Sequence, residues 1–277
     1  MRIDPAALEA RYDDLAAAPP PSFEQGLPGA TAEVLAAHVL ILDAVNFGSG
    51  WFPTLAKRTG ADGRPLSGAR TVAAALTDRA RAHGPWSPAQ LSALRTEEVA
   101  DVLGQPRDHE LMSLYAQALR SLGTFLGPRE PLELVDSARG SAVTLAEALA
   151  GGMAMFADPG FYKRAQITPS DLALSGAARF GDLDELTIFA DNLVPHVLRC
   201  DGVLVYDDDL AAHVDAGRLL GPGRAEREIR ACAVHVCEQL ARRLELTPRE
   251  LDARLWWRGQ GAAYKARPRH RCRCVAY

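Results

Sequence analysis

The chain has 277 residues, of which 48% are hydrophobic and 24% are charged, and this balance excludes a disordered or a fibrous protein. A formal net charge of −4 excludes an overall field that would attract nucleic acid or an anionic membrane, and no apolar run approaches the roughly 18 residues of a membrane-spanning helix. Because the N-terminus also lacks the apolar core of a signal peptide, we expect a cytoplasmic protein with no membrane partner and no stable nucleic-acid partner.

Helix-forming residues dominate the chain, and no stretch alternates polar and apolar residues for long enough to predict a sheet. Hydrophobic spacing and the glycine and proline punctuation predict helices over 5–17, 32–46, 69–83, 88–103, 108–126, 139–150, 161–175, 184–199, 223–244 and 248–257. Because the connections are short and no internal repeat is present, we expect an all-α protein with one globular helical domain over residues 1–277. Within it, residues 1–30 would form a peripheral helix and a proline-rich connection.

The helix predicted over 32–46 carries polar residues in a stretch that is apolar on every side. Asp43 and Asn46 lie three residues apart on one face, and buried polar groups need partners within the protein or in a ligand. Phe47 and Trp51 follow directly and could sandwich a flat ring, although core residues would show the same pattern. The pattern therefore leaves open both a closed structural network and a ligand-binding group.

A basic pair follows the turn over 158–160, which is expected to open the helix over 161–175. Lys163 and Arg164 thus fall in the first helical turn, where free backbone N–H groups and the helix dipole favour an anion. A phosphate group is a reasonable ligand for such a site. The alternative is a solvated pair of surface side chains.

One carboxylate, Asp191, interrupts the apolar helix predicted over 184–199. Pro195 cannot donate a hydrogen bond to the carbonyl group of Asp191, four residues earlier, so the backbone is expected to be loosened at the acid. A buried acid at a local kink is a pattern of functional sites, and a buried ion pair would explain it as well. Asp191 is therefore the candidate catalytic residue.

The C-terminal segment over 265–277 is rich in arginine and holds His270, Cys272 and Cys274. Its basic residues could contact phosphate groups, but such segments are more often solvated. No second pair of histidine or cysteine residues stands elsewhere at metal-ligand spacing, so we expect neither a metal ion nor another cofactor. The cysteines number five, which favours reduced thiols over a disulfide framework.

Several of these segments resemble the queuosine salvage family, the queuosine 5′-phosphate N-glycosylases, most specifically over residues 161–277. The matching blocks are Asp43-Ala-Val-Asn-Phe47, Phe161-Tyr-Lys-Arg-Ala-Gln-Ile167, Thr187-Ile-Phe-Ala-Asp191, Val194-Pro195, Glu226 with Glu228-Ile-Arg230-Ala, Leu255-Trp256 and Pro268-Arg-His-Arg-Cys-Arg-Cys274 through Tyr277. The family pattern is altered at Gly48-Ser49-Gly50, at Asn192 and Leu193, which replace a tyrosine and an arginine, and at His196, which replaces a glutamine. The altered surroundings of Asp191 leave bond cleavage better supported than the identity of the base.

The resemblance implies a helical fold related to base-excision glycosylases and an N-glycosyl hydrolase. The small-molecule substrate would be queuosine 5′-monophosphate, from which queuine is released for reuse in tRNA. Asp191 would act on the oxocarbenium-like sugar, either by stabilising its charge or by activating water. The implied substrate-binding residues are Lys163, as the first choice for the phosphate, with Asp43, Asn46, Phe47, Trp51, Arg164, Arg230, His270 and Tyr277.

Two alternatives to this function stay open at the level of sequence. One is a glycosylase with the same mechanism that acts on another nucleotide or on a damaged base. The other is a non-catalytic helical module that binds a nucleotide or nucleic acid through Lys163, Arg164 and the basic C-terminal segment. The sequence does not fix the oligomeric state.

Overall fold

The computed structural model describes residues 1–10, 12–18 and 20–277. Its helices, in chain order, are α1 Pro5–Glu9, α2 Ala32–Ala44, α3 Gly68–His83, α4 Pro88–Ala93, α5 Thr96–Leu103, α6 Glu110–Leu126, α7 Pro131–Ser137, α8 Ala142–Gly152, α9 Lys163–Ser175, α10 Leu193–Cys200, α11 Asp208–Asp215, α12 Arg224–Arg243, α13 Pro248–Arg258 and α14 Ala262–Lys265. Short 3-10 helices lie at Asp13–Ala17, Phe52–Thr54, Ala154–Phe156 and Leu183–Glu185. The strands β1 Arg2–Ile3 and β2 Leu204–Val205 pair antiparallel. The predicted helical class is confirmed, and no helix within these described residues is long and apolar enough to cross a membrane.

Several helices begin where the sequence supplies a capping side chain. The Thr31 hydroxyl accepts a hydrogen bond from the N–H group of Val34 at the start of α2. At the start of α13, Thr247 and Glu250 each bond the other's backbone N–H group in a capping box. Such caps typically stabilise a helix by about 1 kcal/mol and fix the residue at which it begins.

The buried hydrophobic residues form two clusters. The first is built from α2 to α9 and includes Tyr115 and Leu119 of α6. The second is built from α10, α12, α13 and the N-terminal segment, and it includes Ile229 of α12. Helix α9 lies at the junction, because its Leu172 belongs to the first cluster while the preceding Phe161 belongs to the second. The organisation of the whole chain as one domain stays a prediction.

The N-terminal segment differs from the peripheral helix that the sequence predicts. Instead of one helix over 5–17, α1 is followed by a 3-10 helix, and Tyr12 between them has a left-handed backbone with φ 81°. Residue 11 of this predicted helix and residue 19 of the predicted proline-rich connection lie outside the described part. Leu8, Tyr12 and Leu15 are buried in the second cluster, so this segment is part of the core.

Two predicted helices are divided in the structure. The helix predicted over 88–103 is interrupted between α4 and α5, where the Glu98 carboxylate accepts the backbone N–H group of Arg95, the residue before α5. The helix predicted over 184–199 begins only at Leu193. Residues 186–190 form an irregular segment that is buried for most of its length. Its apolar composition therefore resembles that of a buried helix. The short helices α7, α11 and α14 are missing from the prediction, because a helix of one or two turns shows little periodicity in its hydrophobic residues.

Candidate active site

A cavity of about 540 Å³ opens between the two hydrophobic clusters, and this volume suits a small-molecule ligand. Its walls come from α2 and the turn after it, α3, α9, the segment before α10, α13, residues 20–25 and the C-terminal segment. Six of the ten candidate residues line it, namely Asp43, Asn46, Phe47, Lys163, Asp191 and Tyr277. The structure therefore brings together residues from distant parts of the chain that the sequence had singled out separately.

Asp191 caps the N-terminus of α10. Its Oδ1 accepts the N–H groups of Leu193 at 2.6 Å and of Val194 at 3.4 Å. Pro195 is the third residue of this helix, where a missing N–H group removes no helical hydrogen bond. The predicted kink at Asp191 is therefore wrong, because the acid precedes the helix. Capping fixes the direction of the carboxylate, and Oδ2 has no hydrogen-bond partner among the described residues.

Lys163 is the first residue of α9 and is almost fully buried, with 4% of its surface exposed. Its Nζ donates to the carbonyl group of Asn46 at 3.2 Å. Burial lowers the pKa of Lys163, and the nearby charges of Asp191 and Asp43 oppose that shift. Within the described chain, no carboxylate oxygen lies within 4.0 Å of Nζ, so this ammonium group is surrounded by acids without a direct ion pair.

Asp43 and Asn46 form a network that is only half closed. The Nδ2 of Asn46 donates to Oδ1 of Asp43 at 3.3 Å. Oδ2 of Asp43 is buried and has no partner in the described part of the chain. Burial raises the pKa of Asp43 to about 6, although the charge of Lys163 acts in the opposite direction. One oxygen is thus satisfied inside the protein, and the other is available to a ligand.

Two further acids line the cavity that the sequence had not singled out. Asp171 lies two turns after Lys163 on the same face of α9, and burial together with the charge of Asp43 raises its pKa well above the usual value. Asp252 of α13 accepts the N–H group of Phe189 at 2.9 Å. Burial and the neighbouring Asp191 raise the pKa of Asp252 to about 7. The eight-residue spacing from Lys163 was the one sequence signal for Asp171.

Phe47 and Trp51, which are predicted to stack on the base, have different surroundings in the structure. Phe47 lines the cavity and packs edge-on against Tyr115, with ring centroids 5.1 Å apart. Trp51 lies outside the cavity lining, and its Nε1 donates to Glu110 at 2.7 Å. Trp51 is therefore placed as a packing residue. Other aromatic side chains that line the cavity, outside the ten candidate residues, are Phe23, Phe52, Tyr115, Phe189, Trp256, Trp257 and Tyr264.

The turn after Phe47 holds the C-terminal segment against the cavity. Gly48 has φ +120°, a conformation that favours glycine, and its N–H group donates to the carbonyl group of Tyr277 at 3.0 Å. A Cβ atom on Gly50 would lie 2.6 Å from the backbone of Cys272, so only glycine allows this approach. Gly48 and Gly50 therefore permit the contact that places Tyr277 in the cavity wall.

Arg164 and His270, predicted to hold phosphate, are buried outside the cavity lining. The guanidinium group of Arg164 lies between the rings of Phe47 and Phe156, 4.7 Å from each centroid, and donates to a backbone carbonyl group of α2. Burial lowers the pKa of His270 to about 3, which leaves this ring neutral. Their placement fits packing roles.

Arg230, the third of these residues, is the centre of a buried ion cluster with Asp158 and Glu226, called here the Arg230 cluster. Its Nη2 lies 2.5 Å from Asp158 and its Nη1 lies 3.3 Å from Glu226. Nε donates to the carbonyl group of Ala190 at 2.8 Å, and the guanidinium group covers the ring of Phe161. Burial alone would lower the pKa of Arg230, but the hydrogen bonds to Asp158 raise it. The cluster ties the turn before α9 to the segment that carries Asp191.

The predicted anion site at the start of α9 is already filled by the protein. Oδ2 of Asp158 accepts the backbone N–H group of Lys163 at 3.4 Å, so a carboxylate stands where the phosphate was expected. Five other basic side chains of the cavity wall are partly or fully exposed, and one of them, Arg70, forms an ion pair with Glu24. We call the remaining four the cavity mouth: Arg249, Lys265, Arg267 and Arg269. Burial lowers the pKa of Arg269, whereas the charge of Asp191 raises it.

The residues that replace the family pattern near Asp191 also line the cavity. Nδ2 of Asn192 donates to the carbonyl group of His270 at 3.1 Å, which ties the start of α10 to the C-terminal segment. Nε2 of His196 lies 2.8 Å from the carbonyl group of Tyr264. Leu193 adds an apolar side chain to the same wall. Asn192, Leu193 and His196 therefore shape the cavity wall beside the candidate acid.

Comparison with known proteins gives one consistent family. The profile described as queuosine salvage protein matches residues 27–277, well beyond the segment in which the resemblance is most specific. The chain is 32% identical over 281 positions to the queuosine 5′-phosphate N-glycosylase/hydrolase of Sphaerobacter thermophilus, across 93% of this chain and 86% of the relative. Proteins of the same name from Dictyostelium discoideum and Mus musculus are each 36% identical across 42% of this chain and 40% of their own length. The chain belongs to the queuosine salvage protein family.

Proposed function

We propose that this protein hydrolyses the N-glycosidic bond of queuosine 5′-phosphate and releases queuine for reuse in tRNA. The observation that carries the proposal is the capped carboxylate of Asp191 in the wall of a ligand-sized cavity, in a chain of this family. Relatives that bear the name of this activity support the choice of substrate.

Asp191 is the proposed catalytic residue. The anomeric carbon gains positive charge as its bond to the base lengthens, and a fixed carboxylate beside it stabilises that charge. Capping of α10 through Oδ1 leaves Oδ2 to face the sugar. A water oxygen then bonds to the anomeric carbon, the bond to the base breaks, and the products are ribose 5-phosphate and the protonated base. Lys163 supplies a positive charge within electrostatic range of this carboxylate.

The base is proposed to lie against α2 and α9. A 7-deazapurine lacks the ring nitrogen that is readily protonated in purines, so its departure depends on hydrogen bonds to the base. Asn46 and Asp43 line this part of the cavity with an amide and a carboxyl group, and Phe47 offers an aromatic ring. The phenol of Tyr277, which also lines the cavity, has no partner within the described chain and is a further candidate donor.

The phosphate is proposed to bind at the cavity mouth. Arg267 and Arg269 are exposed or partly exposed cations of the wall, and Arg269 lies within electrostatic range of Asp191. A bound ribose 5-phosphate then spans from the acid to these arginines. Lys163 is proposed to bind the substrate through its sugar. The Arg230 cluster does not contact the substrate and supports the cavity wall that carries Asp191.

The experiment is incubation of the protein with a panel of nucleotides, followed by chromatography of the free bases. We expect queuine from queuosine 5′-phosphate, slower release from unphosphorylated queuosine, and no release from guanosine 5′-monophosphate. A different preferred nucleotide would favour the second candidate function, the same mechanism on another base, which the altered wall at Asn192, Leu193 and His196 motivates. Binding without release from any nucleotide would contradict both candidates.

A further inference from the structure

The inner part of the cavity carries an excess of acidic groups. Asp43, Asp171, Asp191 and Asp252 all line it, and Lys163 lies among them without a direct ion pair to any of them. We call these four aspartates and Lys163 the cavity floor. Hydrolysis of the glycosidic bond needs one carboxylate at the sugar, so the remaining acids are not explained by the reaction at Asp191.

One carboxylate oxygen of Asp43 lacks a hydrogen-bond donor within the described chain, which indicates a ligand. Its side chain is 1% exposed and lines the cavity, yet Oδ2 has no partner among residues that the structure describes. Oδ1 is engaged by Asn46, and the nearby hydroxyl of Thr168 donates to the carbonyl group of Arg164 at 2.8 Å. Because buried carboxylate oxygens are nearly always hydrogen-bonded, this position calls for a donor that the substrate brings.

Asp171 provides a second carboxylate for the same donor. Helices α2 and α9 pack against each other, which brings Asp171 within electrostatic range of Asp43. Asp171 is partly exposed and lines the cavity, and it has no hydrogen bond within the described ranges. The two like charges on facing helices repel each other, and the positive charges of Lys163 and Arg249 offset this only in part, because the pKa of Asp171 stays raised.

The cation that this arrangement fits is organic rather than metallic. Among the residues that the structure describes, no three carboxylate, imidazole or thiolate groups are placed to hold a metal ion together. An ammonium group needs only two or three acceptors, and it binds them through charge-assisted hydrogen bonds. The cavity volume of about 540 Å³ accommodates such a group at the end of a larger molecule.

We propose that Asp43 and Asp171 form a subsite for a substituent ammonium group of the base. This proposal rests on the proposed function, because queuine carries a secondary amine on the methylene group attached to position 7 of the deazaguanine ring. The base then enters with its cation towards the cavity floor and its phosphate at the cavity mouth. Such opposed charges orient the nucleotide and exclude neutral bases, whose binding would leave both carboxylates unpaired.

The test compares two free bases of similar size, 7-aminomethyl-7-deazaguanine, which is cationic, and 7-cyano-7-deazaguanine, which is neutral. We expect the wild-type protein to bind the aminomethyl base about 10-fold more tightly or better in calorimetry, as charge-assisted hydrogen bonds allow. Asp171→Asn should reduce this ratio to near 1. The matched control, Asp136→Asn on the exposed surface of α7, should keep the wild-type ratio.

A second measurement uses the protons of the subsite. Burial raises the pKa of Asp43 to about 6, so this carboxyl group is partly protonated near pH 6 in the free protein, and burial together with the charge of Asp43 raises the pKa of Asp171 well above its usual value. A bound ammonium group lowers both pKa values, and its binding should release protons. Calorimetry at pH 6 in buffers of different ionisation enthalpy should therefore show proton release with the aminomethyl base and none with the cyano base.

The outcomes separate the subsite from the proposed function. Equal affinities for the two bases, or no measurable binding of the aminomethyl base, would overturn the subsite even if queuosine 5′-phosphate is hydrolysed. A preference for the aminomethyl base that persists in Asp171→Asn and in Asp43→Asn would overturn it as well. A charge-dependent preference in a protein that fails to hydrolyse queuosine 5′-phosphate would support the subsite and contradict the proposed function.

Discussion

The Arg230 cluster and the cavity floor are two buried sets of charges that are built in opposite ways. In the Arg230 cluster, the guanidinium group contacts Asp158, Glu226 and a backbone carbonyl group directly. In the cavity floor, the ammonium group of Lys163 is surrounded by acids but contacts no carboxylate within 4.0 Å in the described chain. The first set is complete without a ligand, and the second is not.

This difference separates residues that hold the fold from residues that are free to act. A buried charge that is fully paired contributes to a specific structure, and loss of one partner leaves an uncompensated charge. Buried charges that lack partners destabilise the free protein and interact strongly with a ligand, so they concentrate at functional sites. The family match alone does not make the distinction, because Arg230 and Lys163 both lie in matching blocks.

The largest expected effect is on stability, from Arg230→Met. The substitution leaves Asp158 and Glu226 buried without their cation, and breaking a buried pair in this way typically costs about 3–5 kcal/mol. Urea denaturation should show this loss of unfolding free energy. The control is Arg95→Met, which removes an exposed ion pair with Glu98 and should cost less than about 1 kcal/mol. A stable Arg230→Met protein with weakened nucleotide binding would return this residue to the substrate site.

The second effect is on turnover, from Asp191→Asn. Removal of a group that stabilises a transition-state charge commonly slows a reaction by about 10²-fold or more. Asparagine is also a good cap, so its Oδ1 can keep the bonds to Leu193 and Val194, and the melting temperature should change little. Rates of base release and thermal melts of one preparation test both parts. Near wild-type turnover by the folded variant would remove the catalytic role of Asp191.

A third comparison locates the phosphate. Arg269→Ala should weaken binding of queuosine 5′-phosphate by about 10-fold while changing binding of unphosphorylated queuosine little, because the lost interaction is a charge-assisted hydrogen bond. Lys163→Ala should weaken both ligands alike, since Lys163 lies with the acids of the cavity floor. A loss confined to the phosphorylated ligand in Lys163→Ala would instead support the phosphate contact that the sequence predicts.

The smallest expected effect is a change in the pH dependence of stability, from Asp252→Asn. Burial and Asp191 raise the pKa of Asp252 to about 7, above its value of about 4 in the unfolded chain. The folded state therefore binds more protons between these values, so stability falls as pH rises from about 4 to 7. The amide oxygen of the substituted side chain still accepts the N–H group of Phe189. The variant should melt a few degrees higher than wild type at pH 8 and nearly equal to it at pH 4.5. A difference in melting temperature that is the same at pH 4.5 and pH 8 would contradict the raised pKa of Asp252.

The helical class and part of the site follow from the sequence because they depend on local pattern. Periodic apolar residues give most helices, and acids inside apolar runs mark Asp43 and Asp191. The sequence does not single out Asp171 and Asp252, because acids are common in ordinary amphipathic helices such as α9 and α13. Only the packing of α9 and α13 around the cavity decides which way these side chains face.

The differences between the sequence predictions and the structure have the same physical origin. The resemblance implies a substrate role for Arg230, and no local pattern reveals its ion pair with Asp158, 72 residues away. Trp51 was assigned to the base because it follows Phe47 closely, but the backbone of Gly48 turns the chain between them. The segment over 186–190 was assigned to a helix because burial on several sides gives an irregular segment the composition of a buried helix.

The most direct measurement is the release of base from queuosine 5′-phosphate by the wild-type protein, followed by chromatography and mass detection. The account predicts queuine and ribose 5-phosphate in equal amounts, over many turnovers and without an added cofactor. Intact queuosine 5′-phosphate after prolonged incubation with folded protein would contradict the assignment of Asp191 and its cavity to glycosidic bond hydrolysis.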